Sequence, residues 1–132
     1  QMLTKYIQDN QLDNCMVMGD FNAYSPFDAD WVETHAQLIK NKQKWDAEQE
    51  TYRNMRDGRL DYSVLSQFLS IGLTDICRLY VPADKRTTFP TAFLYRWQHG
   101  DTRLHGISER LDYILVSHPW FPGVSTPIST TE

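Results

Sequence analysis

The apolar run Cys15-Met16-Val17-Met18 ends in Gly19-Asp20-Phe21-Asn22, and this junction constrains the fold more than any other stretch. A short apolar run bounded by turn residues reads as a buried strand, and Gly, Asp and Asn are residues that let a chain turn out of one. Leu12 to Met18 is therefore expected to be a strand with Asp20 and Asn22 at its exit. In extended backbone, positions i and i+2 share a side, so a carboxylate and a carboxamide are presented together. An Asp can orient a water or hold a hard divalent cation, while an Asn donates to a phosphate oxygen without adding negative charge. The same residues also suit an ordinary strand-to-turn exit, and a short motif alone does not decide between the two.

A second element, Glu109-Arg110-Leu111-Asp112-Tyr113-Ile114-Leu115-Val116-Ser117, lies far downstream. Between the two fall Ile71-Gly72-Leu73-Thr74-Asp75-Ile76-Cys77-Arg78 and Thr87-Thr88-Phe89-Pro90. In these stretches, taken in this order, the chain resembles the endonuclease/exonuclease/phosphatase (DNase I-like) superfamily. There a Gly-Asp-Phe/Leu-Asn turn precedes an Arg-Leu/Ile-Asp-Tyr/Phe-Ile strand, and those two motifs are the specific ones. The resemblance implies an α/β (α+β) architecture, part of a four-layer α/β/β/α sandwich, to which this chain supplies roughly one sheet with its helices. It also implies metal-dependent hydrolysis of a phosphoester, whether in nucleic acid, a phosphoinositide or a phospholipid head group. In that chemistry Asp20 orients or deprotonates the attacking water, Asn22 binds the phosphoryl group and Asp112 orients a catalytic His. Mg²⁺ or Mn²⁺ is the implied cofactor, with Asp20 and Asn22 as partial ligands and a Glu outside the chain as the main one.

The departures carry as much information. A full domain of this family opens with strands bearing an Asn and the metal-binding Glu, and closes on Ser-Asp-His; neither stands in these residues. Residues 1–132 therefore read as one incomplete domain, the C-terminal half without its last motif, expected to be inactive by itself. Half a sandwich leaves one sheet face uncovered, either that of Leu111, Tyr113 and Leu115 or its opposite. Exposed apolar patches drive association, so self-association through that face is expected. The alternative function class is a non-catalytic binding or scaffold module of the same fold, since a fold does not dictate a function.

Composition fits one globular unit, with 41% hydrophobic residues to form a core and 13% aromatics to fill it. No run of about 18 apolar residues suggests a membrane span. A formal charge of −4 argues against an isolated high-affinity nucleic-acid binder, because Lys and Arg supply phosphate contacts. A local groove or a bound cation can still offset an acidic site. Lys40, Lys42 and Lys44, the densest basic stretch, are expected on a solvated helix face, and Cys15 and Cys77 as buried thiols.

Periodicity places the elements. Leu3, Tyr6 and Ile7 form a helical stripe, and Trp31, His35, Leu38, Ile39 and Trp45 form one face of a second helix, capped by Asp28 or Asp30. Leu60 to Leu69 reads as a helix closed by Gly72. Ile76 to Val81 and Ala92 to His99 read as strands, and Gly100-Asp101 as a hairpin turn toward a last strand, Leu111 to Ser117. Phe93, Tyr95 and Trp97 either pack in the core or line a site. Asp112 shares a strand face with Arg110, Ile114 and Val116, and a carboxylate in such company needs a partner. That partner is the absent His, or Arg110 in a structural salt bridge. None of His35, His99, His105 and His118 stands at the position of the family's base, and Glu48, Glu50, Asp57 and Asp61 read as solvated helix positions.

Overall fold

The computed structural model describes residues 2–48, 50–91, 93 and 108–117. In chain order the elements are α1 (Met2–Asp9), β1 (Met16–Asp20), a 3₁₀ turn (Pro26–Asp28), α2 (Ala29–Val32) and α3 (Ala36–Glu48). They continue with β2 (Met55–Arg56), β3 (Arg59–Leu60), α4 (Ser63–Ser70), β4 (Thr74–Asp75), α5 (Ile76–Tyr80), a second 3₁₀ turn (Ala83–Lys85) and β5 (Asp112–Val116). The fold is mixed α/β with small antiparallel sheets, as the class read from the sequence requires. Among the described residues β1, β5 and β4 form a three-stranded sheet in that order, and β2 and β3 a separate hairpin.

One face of the larger sheet is covered. Tyr113 and Leu115 of β5 pack with Ile7 of α1, with Leu65 and Phe68 of α4, and with Leu73 and Ala23. Phe21 joins them edge-on, its ring centroid 5.4 Å from Phe68 and 5.6 Å from Tyr113, a geometry that aromatic quadrupoles favour. A second cluster of Tyr24, Val32, Leu38 and Leu60 lies under α2, α3 and the hairpin. Among the described residues the opposite sheet face is covered only at one end, where Val116 is buried at 1% exposure. Its side chains alternate outward along the strands, leaving Met16 46%, Met18 64% and Ile114 37% exposed. Of the two faces left open by the sequence, the one bearing Tyr113 and Leu115 is covered, and its opposite is covered only around Val116.

Several boundaries differ from the sequence reading, each for a local reason. The first strand begins at Met16 and not at Leu12, because the Leu12 and Gln11 amides turn back to the Ile7 and Gln8 carbonyls (both 3.1 Å) and close α1, with Gln11 at φ 50°. Leu3 and Tyr6 are exposed; Thr4 and Ile7 make the buried stripe. The single long helix expected from Trp31 to Trp45 is two. Thr34 donates from Oγ1 to the Trp31 carbonyl (2.6 Å) and the His35 amide to that of Val32 (3.0 Å), so the chain tightens before α3 restarts. A hydroxyl competing for backbone acceptors has this effect. Leu38 is buried, whereas Trp45 is 54% exposed. Asp28 caps nothing with its side chain; Ser25 caps the 3₁₀ turn, accepting from the Phe27 amide at 3.2 Å.

Leu60 belongs to β3, and α4 starts at Ser63, whose amide donates to Asp61 Oδ1 at 2.8 Å. Its end is as expected. Gly72 at φ +90° lets the Leu73 amide reach the Phe68 carbonyl (3.2 Å) and its own amide that of Leu69 (3.1 Å), a Schellman closure. The strand expected from Ile76 to Val81 is the helix α5, because Asp75 accepts the Arg78 amide as its N-cap (3.4 Å). Asp57 and Gly58, at φ 52° and 80°, form the two-residue turn of the β2–β3 hairpin, so Asp57 is not on a helix. Cys15 and Cys77 are free thiols, half-buried and not buried. Of the strand expected from Ala92 to His99 only Phe93 is described, exposed and helical. The Gly100-Asp101 turn, Tyr95, Trp97, His99, His105 and His118 lie outside the described residues.

Arg110 is buried at 2% exposure and does not pair with Asp112. Its guanidinium bonds Asp75 Oδ1 through Nη2 and Asp28 Oδ2 through Nη1 (3.2 Å), and Arg86 donates from Nε to Asp28 Oδ1 (2.6 Å). Burial opposes the charge on Arg110, but the hydrogen bond and field of Asp75 more than offset it, so its pKa is raised. Removing one member of a buried ion pair strands the others and costs about 3–5 kcal/mol, far more than an exposed pair is worth. Arg110→Met is therefore expected to lower the stability read from urea unfolding by about that amount, while Arg59→Met, at the exposed Arg59–Glu33 pair, leaves it nearly unchanged. Equal effects of the two substitutions would contradict the assignment.

Candidate functional site

Asp20 is the last residue of β1 and Asp112 the first of β5, and the register sets them directly opposite. The Phe21 amide donates to the Leu111 carbonyl (2.9 Å) and the Ser117 amide to that of Cys15 (3.0 Å). Ladder bonds thus fall on the odd-numbered residues of β1, and Asp20 and Asp112 form a non-hydrogen-bonded pair. Side chains approach closest in such pairs, with Cβ atoms about 4.5–5.5 Å apart. Both carboxylates are exposed, on the face opposite Tyr113 and Leu115. The Asp112 carboxylate has no hydrogen-bond or ion-pair partner among the described residues.

The Asp112 backbone is held firmly. Thr88 Oγ1 accepts from the Leu111 amide (3.0 Å) and the Asp112 amide (3.1 Å). Thr88 is fixed in turn by the Phe89–Glu109 bridge, in which each amide donates to the other's carbonyl at 2.9 and 2.7 Å. This gives Thr87-Thr88-Phe89-Pro90 a positioning role beside the site.

Asn22 meets Asp20, though not by an extended backbone. With φ 44° it occupies the left-handed region, which Asn tolerates through local hydrogen bonding. Its amide donates to Asp20 Oδ1 (2.8 Å) and its Nδ2 to Asp20 Oδ2 (3.2 Å). One carboxamide N–H is spent on orienting Asp20, and the second, with Oδ1, is left for another group. The turn is clamped from below. Tyr113 donates to the Ala23 carbonyl (3.0 Å), and the Tyr24 hydroxyl donates to Glu109 Oε2. Burial, then the charge of Glu109, raises the Tyr24 pKa and keeps that hydroxyl a donor. Lys42, expected on a solvated face, instead pairs with Glu109 at 2.9 Å and is only 21% exposed; Lys40 and Lys44 are exposed as expected.

Among the described residues no group of three His, Cys, Asp or Glu side chains gathers as for a metal. The donors present are hard oxygens, two carboxylates and one carboxamide. Mg²⁺ commonly takes one or two carboxylates and keeps several waters, so this set fits such an ion in type and in number. Among the described residues no helix is long and apolar enough to cross a membrane.

No family model, curated protein or solved structure matches this chain. The chemistry of the site rests on its own geometry.

Beside Asn22 a cleft of about 40 Å³ is lined by Ala23, Tyr24, Arg53, Asn54, Asp61 and Val64. Arg53 and Asn54 were not foreseen as site neighbours. The loop that carries them is pinned by Asp46 of α3, whose carboxylate accepts from the Asn54 amide (2.9 Å), Asn54 Nδ2 (2.9 Å) and the Met55 amide (2.8 Å). The Asp57-Gly58 dipeptide, a strong hairpin signal, was the mark in the sequence that this region folds back on itself. Partial burial alone raises the Asp46 pKa, but the bonds from Asn54 and Met55 outweigh it and hold the carboxyl below its ordinary value. A depressed carboxylate stabilises the fold above its unfolded pKa, about 3.9, and that contribution fades as pH falls through the lower folded value. The Asn54 and Met55 amide resonances are thus expected to titrate together with a midpoint below about 3.9; a midpoint above it would show that Asp46 does not anchor the loop.

Proposed function

We propose that this chain carries part of the active site of a divalent-metal-dependent phosphoester hydrolase of the endonuclease/exonuclease/phosphatase type. One observation carries the reading: Asp20 and Asp112, drawn from motifs far apart in the chain, stand opposite each other on one exposed stretch of sheet, and Asn22 folds back onto Asp20. Like charges directly opposite on a sheet are destabilising unless something offsets them. A site that binds a cation and an attacking water has use for both. The exposed stretch of Met16, Met18 and Ile114 supports the four-layer arrangement, since it leaves room for a second sheet to pack there.

In this mechanism Asp20 is the group that orients or deprotonates water. Each of its oxygens accepts one bond from Asn22 and retains a lone pair facing solvent. Asn22 offers its remaining N–H to a phosphate oxygen, a neutral contact that gains strength as charge builds up in the transition state. Asp112, with no described partner, is free to receive the N–H of a His contributed from elsewhere and to fix its tautomer. Mg²⁺ or Mn²⁺ held in part by Asp20 and Asn22, with a Glu from outside these residues as its main ligand, would offset charge developing on the phosphate. Positioned acid-base groups contribute about 10²–10⁴-fold each.

The test uses these 132 residues and, side by side, any longer protein that contains them. Asp20→Asn retains an acceptor for the Asn22 amide, so the turn survives while kcat falls about a hundredfold or more. Asn22→Ala lowers kcat as well, and Asp112→Asn costs activity non-additively with loss of its His, because the two act as a unit. His118→Ala is expected to be nearly silent. The 132 residues alone, which contain no Ser-Asp-His, are expected not to turn over bis-p-nitrophenyl phosphate with Mg²⁺ or Mn²⁺. Full activity of both Asp variants, or chelator-sensitive turnover by the short chain, would sink the reading.

A further inference from the structure

A phosphate approaching Asp20 and Asp112 meets two negative charges, and Asn22 has none of its own to set against them. Most nearby cations are already engaged: Lys42 by Glu109, Arg86 by Asp28, Arg110 by Asp28 and Asp75, and Arg59 by Glu33. Arg53 is different. It is exposed and makes no hydrogen bond or ion pair with any described residue. It acts on Asp46 only through space, and it lines the same cleft as Asn22.

We infer that Arg53 and Asn22 together form a phosphate subsite, in which the guanidinium carries the charge of the anion that the carboxamide contacts. The inference rests on the hydrolase reading for its part in turnover, though not for binding. Three features support it. A guanidinium is a planar fork that matches phosphate oxygens two at a time. The Asp46 bonds to Asn54 and Met55 fix the backbone next to Arg53 before any ligand arrives, which lowers the ordering cost of binding. Size is the third feature. Since one water needs about 10–15 Å³ on the same measure, a cleft of about 40 Å³ is of the order of a small anionic group such as a phosphoryl. Asp61 also lines the cleft and opposes an anion, but its Oδ1 is already turned to the Ser63 amide.

Equilibrium dialysis of the 132-residue chain against radiolabelled inorganic phosphate, at low salt and without divalent metal, tests the subsite. Phenylglyoxal modification followed by peptide mass analysis locates it. Phosphate is expected to protect Arg53 from modification more than Arg56, and Arg53→Gln to weaken binding about tenfold or more, as for loss of a charge-assisted contact. Arg53→Lys should keep part of the affinity. Asp61→Asn, which keeps its acceptor for Ser63, should tighten binding a few-fold by removing a like charge. Unchanged phosphate affinity in Arg53→Gln, or equal labelling of Arg53 with and without phosphate, would overturn the subsite. The two proposals separate in a longer protein containing these residues: hydrolysis with the same KM in Arg53→Gln removes the subsite and keeps the reaction. Arg53-dependent phosphate binding without any hydrolysis does the reverse.

Discussion

Arg110 is the residue through which the parts of this molecule refer to one another. Its guanidinium joins Asp28, in the 3₁₀ turn ahead of α2, to Asp75, at the end of β4, and lies over the Tyr113 ring at 4.3 Å. The two apolar clusters, one under the sheet and one under α2, α3 and the hairpin, are thus tied through a single side chain. Such a network is a poor source of net stability, because desolvating the charges cancels most of the attraction. Here Asp75 Oδ2 and Arg110 Nε lack any partner among the described residues. Specification is the better account of what it does. A one-residue slip of β5 would exchange its faces, turning Tyr113 and Leu115 outward and carrying Asp112 into the core.

The same register gives Asp112 its freedom. Because both terminal nitrogens of Arg110 are engaged by Asp28 and Asp75, the guanidinium is held in the interior away from the neighbouring Asp112, and that carboxylate stands exposed opposite Asp20. Two competing fates for one arginine were open on paper, and the deciding partners sit in parts of the chain with no sequence relation to it. Asp28 was expected to cap a helix, and Asp75 stood just ahead of a stretch expected to be a strand. Both are instead ligands of a buried cation, a use that no local pattern signals.

Legibility in the sequence follows from how local each cause is. The β1 exit, the β5 strand and the Gly72 helix end were readable because a run of apolar residues, or a glycine at positive φ, acts within a few residues of itself. The pairing of Asp20 with Asn22 was readable too, but its mechanism was not: an extended chain was expected, and a left-handed Asn22 folds back onto the carboxylate. What failed were cases in which a short polar side chain outbids periodicity. Thr34 breaks a helix whose apolar face runs on without interruption, and Asp75 converts a β-branched start into a helix by accepting the Arg78 amide. Lys42 was misplaced because its partner, Glu109, is remote in sequence. The hairpin at Asp57-Gly58 was a local signal passed over among charged residues.

The partly exposed sheet face adds a last consideration. Its apolar residues, Met16, Met18 and Ile114, and its carboxylates, Asp20 and Asp112, are segregated along the strands, the apolar part toward one end and the acidic pair at the other. A face meant for solvent has no reason to carry two methionines in alternate positions, and a face meant only for packing has no reason to end in a pair of opposed carboxylates. The proposed sandwich accounts for the two together as a surface covered along the methionines and polar at its rim. On the proposed reading, a second layer packing over the methionines would leave the acidic pair at the edge of the joint. There partial exclusion of water strengthens each electrostatic contact, and a phosphate can still reach Asn22 from the side of Arg53.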